Sequence, residues 1–233
     1  MMSELLTFLF LDAVGHSSDV RRLGRTFYTT RIRDKFYEIV REAATAHGGQ
    51  KEGTPQGDGF MFSFPNPEQA LKAAIAMQEK SASVVVEEAG VRLRLRIGVH
   101  TAQKHITRRD DGSFGAEEDI IYAARLMSIG DEEQILFSQQ TFDKIDTKAF
   151  LHFEHQNRAL KNWEDEPHSV YELLYKPGQT PREPGRAYLP SWWGAQGRYV
   201  SRPKLEDDIR KLYQNGARIR ISIGLSRWRV LEG

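Results

Sequence analysis

The sequence predicts an α+β protein with a ferredoxin-like βαββαβ core, in which helices cover an antiparallel-rich sheet. Three observations point to this class. The patterns along the chain run in the order strand, helix, two strands, helix, strand, followed by further helices and strands. The two middle strands flank Gly57-Asp58-Gly59, which is typical of a hairpin turn. Residues 91–100 alternate aliphatic and arginine side chains, which is typical of a half-buried strand.

Each core element has its own local signal. Residues 5–11 form an apolar run that fits a buried strand, and residues 20–46 carry apolar side chains at helical spacing until Gly48 and Gly49 end the helix. Pro65 ends the second hairpin strand. The predicted elements of the first half are strands at 5–11, 50–53, 60–64 and 91–100 and helices at 20–46 and 68–88.

The second half continues the alternation of helices and strands. Its predicted elements are a hairpin partner for the preceding strand at 104–109, helices at 117–129 and 139–145, and strands at 134–138, 150–155 and 168–174. Residues 177–190 are rich in proline and glycine and predict a linker or an extended arm. We therefore predict a first domain over residues 1–176 and a C-terminal extension over 177–233, with a short helix at 204–214 and a strand at 217–223.

The composition is that of a soluble globular protein, with 39% hydrophobic and 28% charged residues. A net charge of +1 gives no bulk field that would favour nucleic acid or an anionic membrane surface. The chain has no cysteine, which excludes disulfides and cysteine-ligated zinc and fits a reducing compartment. The apolar start is too short for a signal peptide, and no apolar run is long enough to cross a membrane, so we expect a cytoplasmic protein.

Two aspartates stand out because each lies at a bend beside a strand. Asp12 follows the first apolar strand directly, and Asp58 occupies the tip of the predicted hairpin. Two carboxylates held in this way can share a pair of magnesium ions, which would stabilise the attacking and leaving oxygens of a phosphoryl transfer. Either aspartate alone would also serve as a cap or turn residue.

Three arginines and one histidine on the predicted strand at 91–100 have simpler explanations. Arg92, Arg94 and Arg96 alternate with aliphatic residues and predict a solvated sheet face or a dimer surface. His100 ends the strand and is interpreted as structural. The histidines of the chain never form a His-x-x-x-His pattern, so zinc is not expected.

Eight short motifs, in order, resemble the class III nucleotidyl cyclase catalytic domain, and the resemblance covers about residues 6–175. They are FLFLDAVG at Phe8–Gly15, AHGGQ at Ala46–Gln50, GDGFMFSF at Gly57–Phe64, RIGVHT at Arg96–Thr101, FG at Phe114–Gly115, AARLMS at Ala123–Ser128, QILFS at Gln134–Ser138 and LKNWEDEPHSVYEL at Leu160–Leu173. Each motif alone is weakly specific, but all eight in register indicate this family.

The resemblance implies the site residues. Asp12 and Asp58 fall on the family's metal-binding aspartates, which would hold two Mg²⁺ or Mn²⁺ ions per active site. The amides of Ala13, Val14 and Gly15 would receive phosphate oxygens at a strand-to-helix turn. Arg125 falls on the arginine that stabilises charge at the transferring phosphate, and Lys161 falls near the polyphosphate-binding lysine. The implied reaction joins a ribose 3′-oxygen to the α-phosphate of a nucleoside triphosphate and releases pyrophosphate.

The positions that select a purine base depart from the family pattern. Thr54 stands where purine cyclases commonly have a base-reading lysine or glutamate, and Lys51 is nearby but displaced. Gly112 occupies the second base-reading position, with Asp111 next to it, and Ile121 replaces the family's asparagine before the arginine. We expect Thr54, Lys51 and Asp111 to be the candidate base contacts.

Three explanations of these departures remain open. The bacterial pyrimidine cyclases of the Pycsar anti-phage system resemble class III cyclases, keep the metal aspartates and lack the purine determinants, so the chain resembles them most. That resemblance implies a homodimer with shared active sites that converts UTP, or CTP, to a cyclic nucleotide such as cUMP in anti-phage defence. The first alternative is an adenylate cyclase with a divergent base pocket. The second is a catalytically silent nucleotide-binding module.

Overall fold

The computed structural model describes residues 3–56, 59–104, 106–107, 117–185, 219–223 and 228–232. The chain divides into two compact units, Met1–Tyr188 and Leu189–Gly233. In the second unit, Ile219–Ile223 and Trp228–Glu232 form an antiparallel hairpin, which confirms the strand predicted at 217–223. The helix predicted at 204–214 lies outside the described residues.

The first unit is built on a seven-stranded sheet. Numbered along the whole chain, the strands of this unit are β1 (Ser3–Glu4), β2 (Thr7–Ala13), β3 (Gln50–Gln56), β4 (Gly59–Phe64), β5 (Val85–Val86), β6 (Val91–Arg92), β7 (Leu95–Thr101), β8 (Ile106–Thr107), β9 (Ile135–Ser138), β10 (His152–Leu160) and β11 (Trp163–Leu173). The large sheet has the order β10-β11-β9-β7-β2-β4-β3, and β7–β9 is its one parallel pair among the described strands. The predicted antiparallel-rich α+β class is thus confirmed.

The helices follow the predicted order with changed boundaries. They are α1 (His16–Leu23), α2 (Arg25–Tyr28), α3 (Asp34–Ala46), α4 (Pro67–Ala82), α5 (Glu117–Ile129) and α6 (Gln139–Phe142), with one π-helical stretch at Thr29–Arg33. Helix α4 begins where Asn66 accepts the amides of Glu68 and Gln69 at 2.8 and 3.3 Å, with Pro67 in the first helical position. The bounds of α5 match the prediction.

The single helix predicted over residues 20–46 is wrong. Gly24 adopts φ 83° and ψ 147°, a conformation that only glycine adopts readily, so the chain turns between α1 and α2. Residues 29–33 then take the wider π-helical hydrogen bonding before α3 begins. The periodicity was correct for each piece but did not reveal the break.

Three further expectations need correction. The segment at 104–109 does not pair with β7; its described part, β8, pairs with β1 at the start of the chain. The helix predicted at 68–88 ends at Ala82, because residues 85–86 form β5 and pair with β6. The strand predicted at 91–100 is accordingly divided into β6 and β7.

The two faces of the sheet are covered by different helices. On one face, α3 and α4 pack on side chains from the central strands, among them Leu9, Leu11 and Ile97, and form the main core. On the other face, Ala123 of α5 packs with Phe8 of β2. Because side chains alternate along a strand, Asp12 and Phe8 point to the same face, the one that α5 covers.

The start of the proline-rich segment is an extended arm rather than a free linker. Residues 177–185 carry no helix or strand, yet they contact the rest of the first unit at several points. The Arg182 amide donates to the Glu172 carboxylate at 2.9 Å, and the Gln134 side-chain amide donates to the Arg182 carbonyl at 2.8 Å. Arg158 pairs with Glu183 at 2.6 Å.

Among the described residues, no helix combines the length and apolar character that a membrane span requires.

Candidate active site

Asp12 lies near the end of β2 and is paired with an arginine across the sheet. Arg96 occupies the directly opposite position on β7, and its Nη2 and Nε atoms donate to Asp12 Oδ2 at 2.6 and 3.1 Å. The Asp12 side chain is 17% exposed and the Arg96 side chain 33%, so the pair is only partly shielded from water. The candidate site therefore has a positively charged guanidinium next to the Asp12 carboxylate. Arg96 is thus more than a solvated sheet position.

The turn after Asp12 depends on a glycine. Gly15 has φ 90°, in the left-handed region, and its carbonyl accepts the amides of Ser18 and Asp19 at the start of α1, both at 3.0 Å. The Val14 amide donates to the Arg94 carbonyl at 2.8 Å. Val14 therefore does not offer a phosphate donor in this conformation, because its only N–H is already used.

The first residue of α1 adds a neutral group to the site. The His16 ring packs edge-on against Tyr28, with ring centroids 4.6 Å apart. Burial lowers the pKa of His16; the Arg33 charge acts in the same direction, and the nearby carboxylates of Asp12 and Asp19 oppose it. His16 thus brings an uncharged imidazole to the vicinity of Asp12 at neutral pH. None of the eight sequence motifs includes this residue.

Helix α5 lies directly on β7 because Gly98 has no side chain. A Cβ atom built at Gly98 would lie 2.3 Å from the Met127 amide nitrogen and 2.4 Å from the Ala123 carbonyl oxygen. The helix backbone could not approach this closely over any larger residue. The glycine of the RIGVHT motif therefore sets the height of α5 above the strand that carries Arg96.

Arg125 is held on α5 with part of its guanidinium buried. Its Nε atom is inaccessible to solvent and has no hydrogen-bond partner in the described part of the chain. A buried donor of this kind is unfavourable unless a ligand or a second molecule satisfies it. The structure gives no contact between Arg125 and Asp12, so one described chain does not bring these two predicted residues together.

The remaining predicted residues lie at separate places. Lys161 is exposed in the turn between β10 and β11, and two strands, β9 and β7, separate β11 from the β2 strand of Asp12. Lys51 is exposed on β3, with its Nζ 5.0 Å above the centroid of the Tyr37 ring. Thr54 lies in β3 where the pairing with β4 shifts register. Asp58 and Asp111 lie outside the described residues.

His100 joins α5 to the sheet. It is 3% exposed, and its two ring nitrogens contact Asp119 of α5 at 3.1 Å and Ser138 of β9 at 2.9 Å. The interpretation of this histidine as structural agrees with these contacts.

Of the two predicted metal-binding aspartates, the structure describes Asp12, and its chemistry suits Mg²⁺ or Mn²⁺. Both contacts from Arg96 fall on Oδ2, and Asp12 Oδ1 makes no hydrogen bond to the described part of the chain. A partly exposed carboxylate oxygen is the hard ligand that these ions prefer. Among the described residues, no three His, Asp or Glu side chains gather into a complete metal site.

Three cyclase structures share this fold. The guanylate cyclase domain of RhGC from Catenaria anguillulae, solved in complex with GTP, gives a TM-score of 0.62 at 18% identity, over 74% of this chain and 97% of that one. An adenylate cyclase from Trypanosoma brucei, solved in its monomeric state, gives 0.64 at 16% identity, over 78% and 92%. The adenylyl cyclase CyaB from P. aeruginosa gives 0.60 at 19% identity, over 74% and 95%. The chain therefore has the fold of class III nucleotidyl cyclase catalytic domains.

No protein-family model matches the sequence, and no curated protein matches it.

Proposed function

We propose that this protein is a nucleotidyl cyclase that converts a nucleoside triphosphate to a 3′,5′-cyclic nucleotide and pyrophosphate. The observation that carries the proposal is the fold shared with cyclase domains together with a carboxylate, Asp12, at the strand end where the sequence motif predicts a metal ligand. We further propose that Asp58 is the second carboxylate, and that the protein acts in the cytoplasm.

Asp12 and Asp58 would hold the two Mg²⁺ or Mn²⁺ ions, which would activate the ribose 3′-oxygen and stabilise charge on the phosphates. Ala13 and Gly15 would offer backbone amides to the phosphates at the turn. Arg96 already balances the charge of Asp12, so the carboxylate is held in one orientation before a metal binds. Lys161 would add a positive charge for the polyphosphate from the β10–β11 turn.

A shared site in a C₂ homodimer is supported by the separation of the candidate groups. Arg125 has a buried nitrogen without a partner in the described chain, and Asp12 is engaged by Arg96 instead. A second copy of the chain, turned about a two-fold axis, would supply Arg125 to the Asp12 of its partner. Two equivalent sites would result, each built from both copies.

The proposed substrate is a pyrimidine triphosphate, UTP ahead of CTP, and the proposed role is production of a signal such as cUMP in anti-phage defence. The support is negative evidence in the sequence: Thr54 and Gly112 replace the purine-reading residues. Lys51 and Asp111, which are close to these two positions in the sequence, are the polar residues that could contact the base. Discrimination could be large, since a site that hydrogen-bonds its base rejects analogues that lack the matching groups.

A direct test of the chemistry is incubation of the protein with each of the four ribonucleoside triphosphates and Mn²⁺, followed by identification of products by mass spectrometry. We expect a cyclic pyrimidine nucleotide, and we expect Asp58→Asn to lower turnover by about three orders of magnitude or more while the fold stays intact. Lys148→Gln, an exposed surface change, is the matched control. Full activity of Asp58→Asn, or activity in excess chelator, would contradict the metal assignment, and preference for ATP would favour the divergent adenylate cyclase.

Mixing two inactive variants tests the shared site. Asp58→Ala and Arg125→Ala should each be inactive, but a mixed dimer has one site with both lesions and one with neither. Activity should return to at most about a quarter of wild type, because random exchange makes half of the dimers mixed and each has one intact site. An inactive mixture in which native mass spectrometry detects mixed dimers would show that the residues do not act across an interface.

A further inference from the structure

A series of buried hydrogen bonds links five elements of the first unit, the last of which is α5. Thr7 Oγ1 of β2 contacts Thr101 Oγ1 of β7 at 3.0 Å, which contacts Thr141 Oγ1 of α6 at 3.0 Å. Thr141 Oγ1 contacts Ser138 Oγ of β9 at 3.2 Å. Ser138 in turn contacts His100 Nδ1 at 2.9 Å, and His100 Nε2 contacts Asp119 at 3.1 Å.

These hydrogen bonds all run in one donor-to-acceptor direction, toward Asp119, when the His100 imidazole is neutral. The carboxylate of Asp119 only accepts hydrogen bonds when it is ionised, so Nε2 carries the proton and Nδ1 accepts the Ser138 hydroxyl. Ser138 Oγ also accepts the Thr141 amide at 3.2 Å, which caps α6. The Thr141 amide thereby helps to fix the orientation of the Ser138 hydroxyl that donates to the imidazole.

The contacts of His100 fall on one turn of α5. Besides Asp119, His100 packs its ring against Tyr122, with ring centroids 4.6 Å apart. The Tyr122 hydroxyl contacts His168 Nδ1 at 3.0 Å. Asp119 and Tyr122 are three residues apart and therefore lie on the same side of the helix.

These polar contacts restrain the rotation of α5, which the packing at Gly98 does not. The close approach of α5 to Gly98 fixes the height of the helix, but contact of a helix with a bare backbone is poorly directional and leaves rotation and sliding weakly restrained. A hydrogen bond from a buried imidazole is directional. Arg125 lies six positions after Asp119 on the same rigid helix, so a rotation of α5 would displace its guanidinium.

We propose that His100 is a positioning residue, which together with Asp119 forms a clamp that sets the rotation of α5 and so aims Arg125 at the transferring phosphate. This inference rests on the proposed cyclase function. His100 itself touches no reacting atom in this proposal. Its effect is on the geometry of Arg125, and misplacement of a catalytic group by about 1 Å can cost about 100-fold in rate.

The test compares variants that keep the clamp with variants that break it. His100→Gln keeps an N–H near the Nε2 position and Asp119→Asn keeps an acceptor oxygen, so both should retain kcat within about threefold. His100→Asn and Asp119→Ala lose the contact and should lower kcat about 10–100-fold with KM changed less than about twofold, because the loss falls on the transition state. The double variant His100→Asn/Asp119→Ala should be no worse than either single one.

His152→Asn is the matched control, since His152 is a half-buried histidine that packs on Phe142 and bonds the Phe150 carbonyl without contacting α5. It should leave kcat per folded molecule unchanged. Equal losses in His152→Asn and His100→Asn, wild-type kcat in His100→Asn, or no recovery in His100→Gln would each overturn the proposal.

Amide hydrogen exchange gives a readout that does not depend on activity. His100→Asn should increase exchange in residues 117–123 of the folded protein, and His152→Asn should not. Unchanged exchange in His100→Asn overturns the clamp. If the wild-type protein cyclises no triphosphate, the proposed function fails and the aiming of Arg125 fails with it, while increased exchange would still show that His100 holds α5.

Discussion

The two faces of the central sheet are built from different kinds of contact. The face under α3 and α4 is packed with aliphatic and aromatic side chains, including the fully buried Phe36, Phe62 and Leu71. The face under α5 combines a smaller apolar cluster with ordered polar groups: the Asp12–Arg96 ion pair and the hydrogen bonds of His100. The same strands contribute alternate residues to both faces.

This difference separates stability from function. The burial of apolar area on the first face is non-directional and tolerates small shifts of the helices. Hydrogen bonds and ion pairs on the second face require particular distances, and they lie where the candidate chemical groups are. Substitutions on the first face should therefore change the free energy of unfolding, whereas substitutions on the second should change activity per folded molecule.

The largest effect on stability should come from Phe36→Ala. Phe36 is fully buried and packs edge-on against Phe60, with centroids 5.1 Å apart. Loss of the ring should lower the free energy of unfolding by about 3–5 kcal/mol, measured by urea denaturation, with activity per folded molecule unchanged. Leu151→Ala, at a residue 69% exposed, is the control. A loss below about 1 kcal/mol would mean that this face is less tightly packed than the structure shows.

Gly98→Ala should have an intermediate effect on stability, and it should also lower activity per folded molecule. The added methyl group would meet the backbone of Met127 and Ala123 at less than 2.5 Å, so α5 must move. We expect about 1–3 kcal/mol of destabilisation together with a drop in activity per folded molecule. Gly130→Ala, whose added Cβ would lie 3.3 Å from the Met127 carbonyl, should be milder in both assays. Equal effects of the two substitutions would refute the close approach at Gly98.

The smallest effect should be a pH dependence of stability at Glu172, a buried carboxyl of β11. Burial raises the pKa of Glu172, but hydrogen bonds from His155, the Arg182 amide and Gln134 outweigh it, so the pKa of this carboxyl is held below its ordinary value of 4.5. A carboxyl with a lowered folded-state pKa stabilises the fold above 4.5, and that contribution is lost as the pH falls through the folded-state value.

The measurement for Glu172 is the free energy of unfolding of wild type and Glu172→Gln at about pH 7 and about pH 4. Wild type should lose more stability on acidification than the variant does. Parallel losses in the two proteins would show that Glu172 does not contribute to acid sensitivity.

Much of the fold followed from local patterns in the sequence. Helix α5 was predicted with its observed bounds, and strand β4 to within one residue, because periodicity and flanking turn residues agreed. The break at Gly24 was missed because a lone glycine inside a helical pattern is usually tolerated. The pairing of β8 with β1 was missed because a two-residue strand leaves no periodic signal.

For the candidate site, the family motifs predicted Asp12 and Arg125 but not the residues that hold them. Arg96 was interpreted as part of a solvated sheet face or a dimer surface, because its alternation with aliphatic residues is typical of an exposed face. Its position opposite Asp12 depends on the register of β2 and β7, which long-range pairing determines. The proposed role of His100 likewise depends on contacts with β9 and α5, which are distant in sequence.

The arm at residues 177–185 shows that this folding unit continues past its last strand. Glu172 is fully buried, and one of its donors is the backbone amide of Arg182, beyond the last strand of the sheet. A recombination event or a gene fusion that joined a new partner at residue 176 would keep every strand and helix of the unit, yet leave an interior carboxylate one donor short. The smallest transferable module is therefore defined by the satisfaction of its buried polar groups, and it extends past its regular secondary structure.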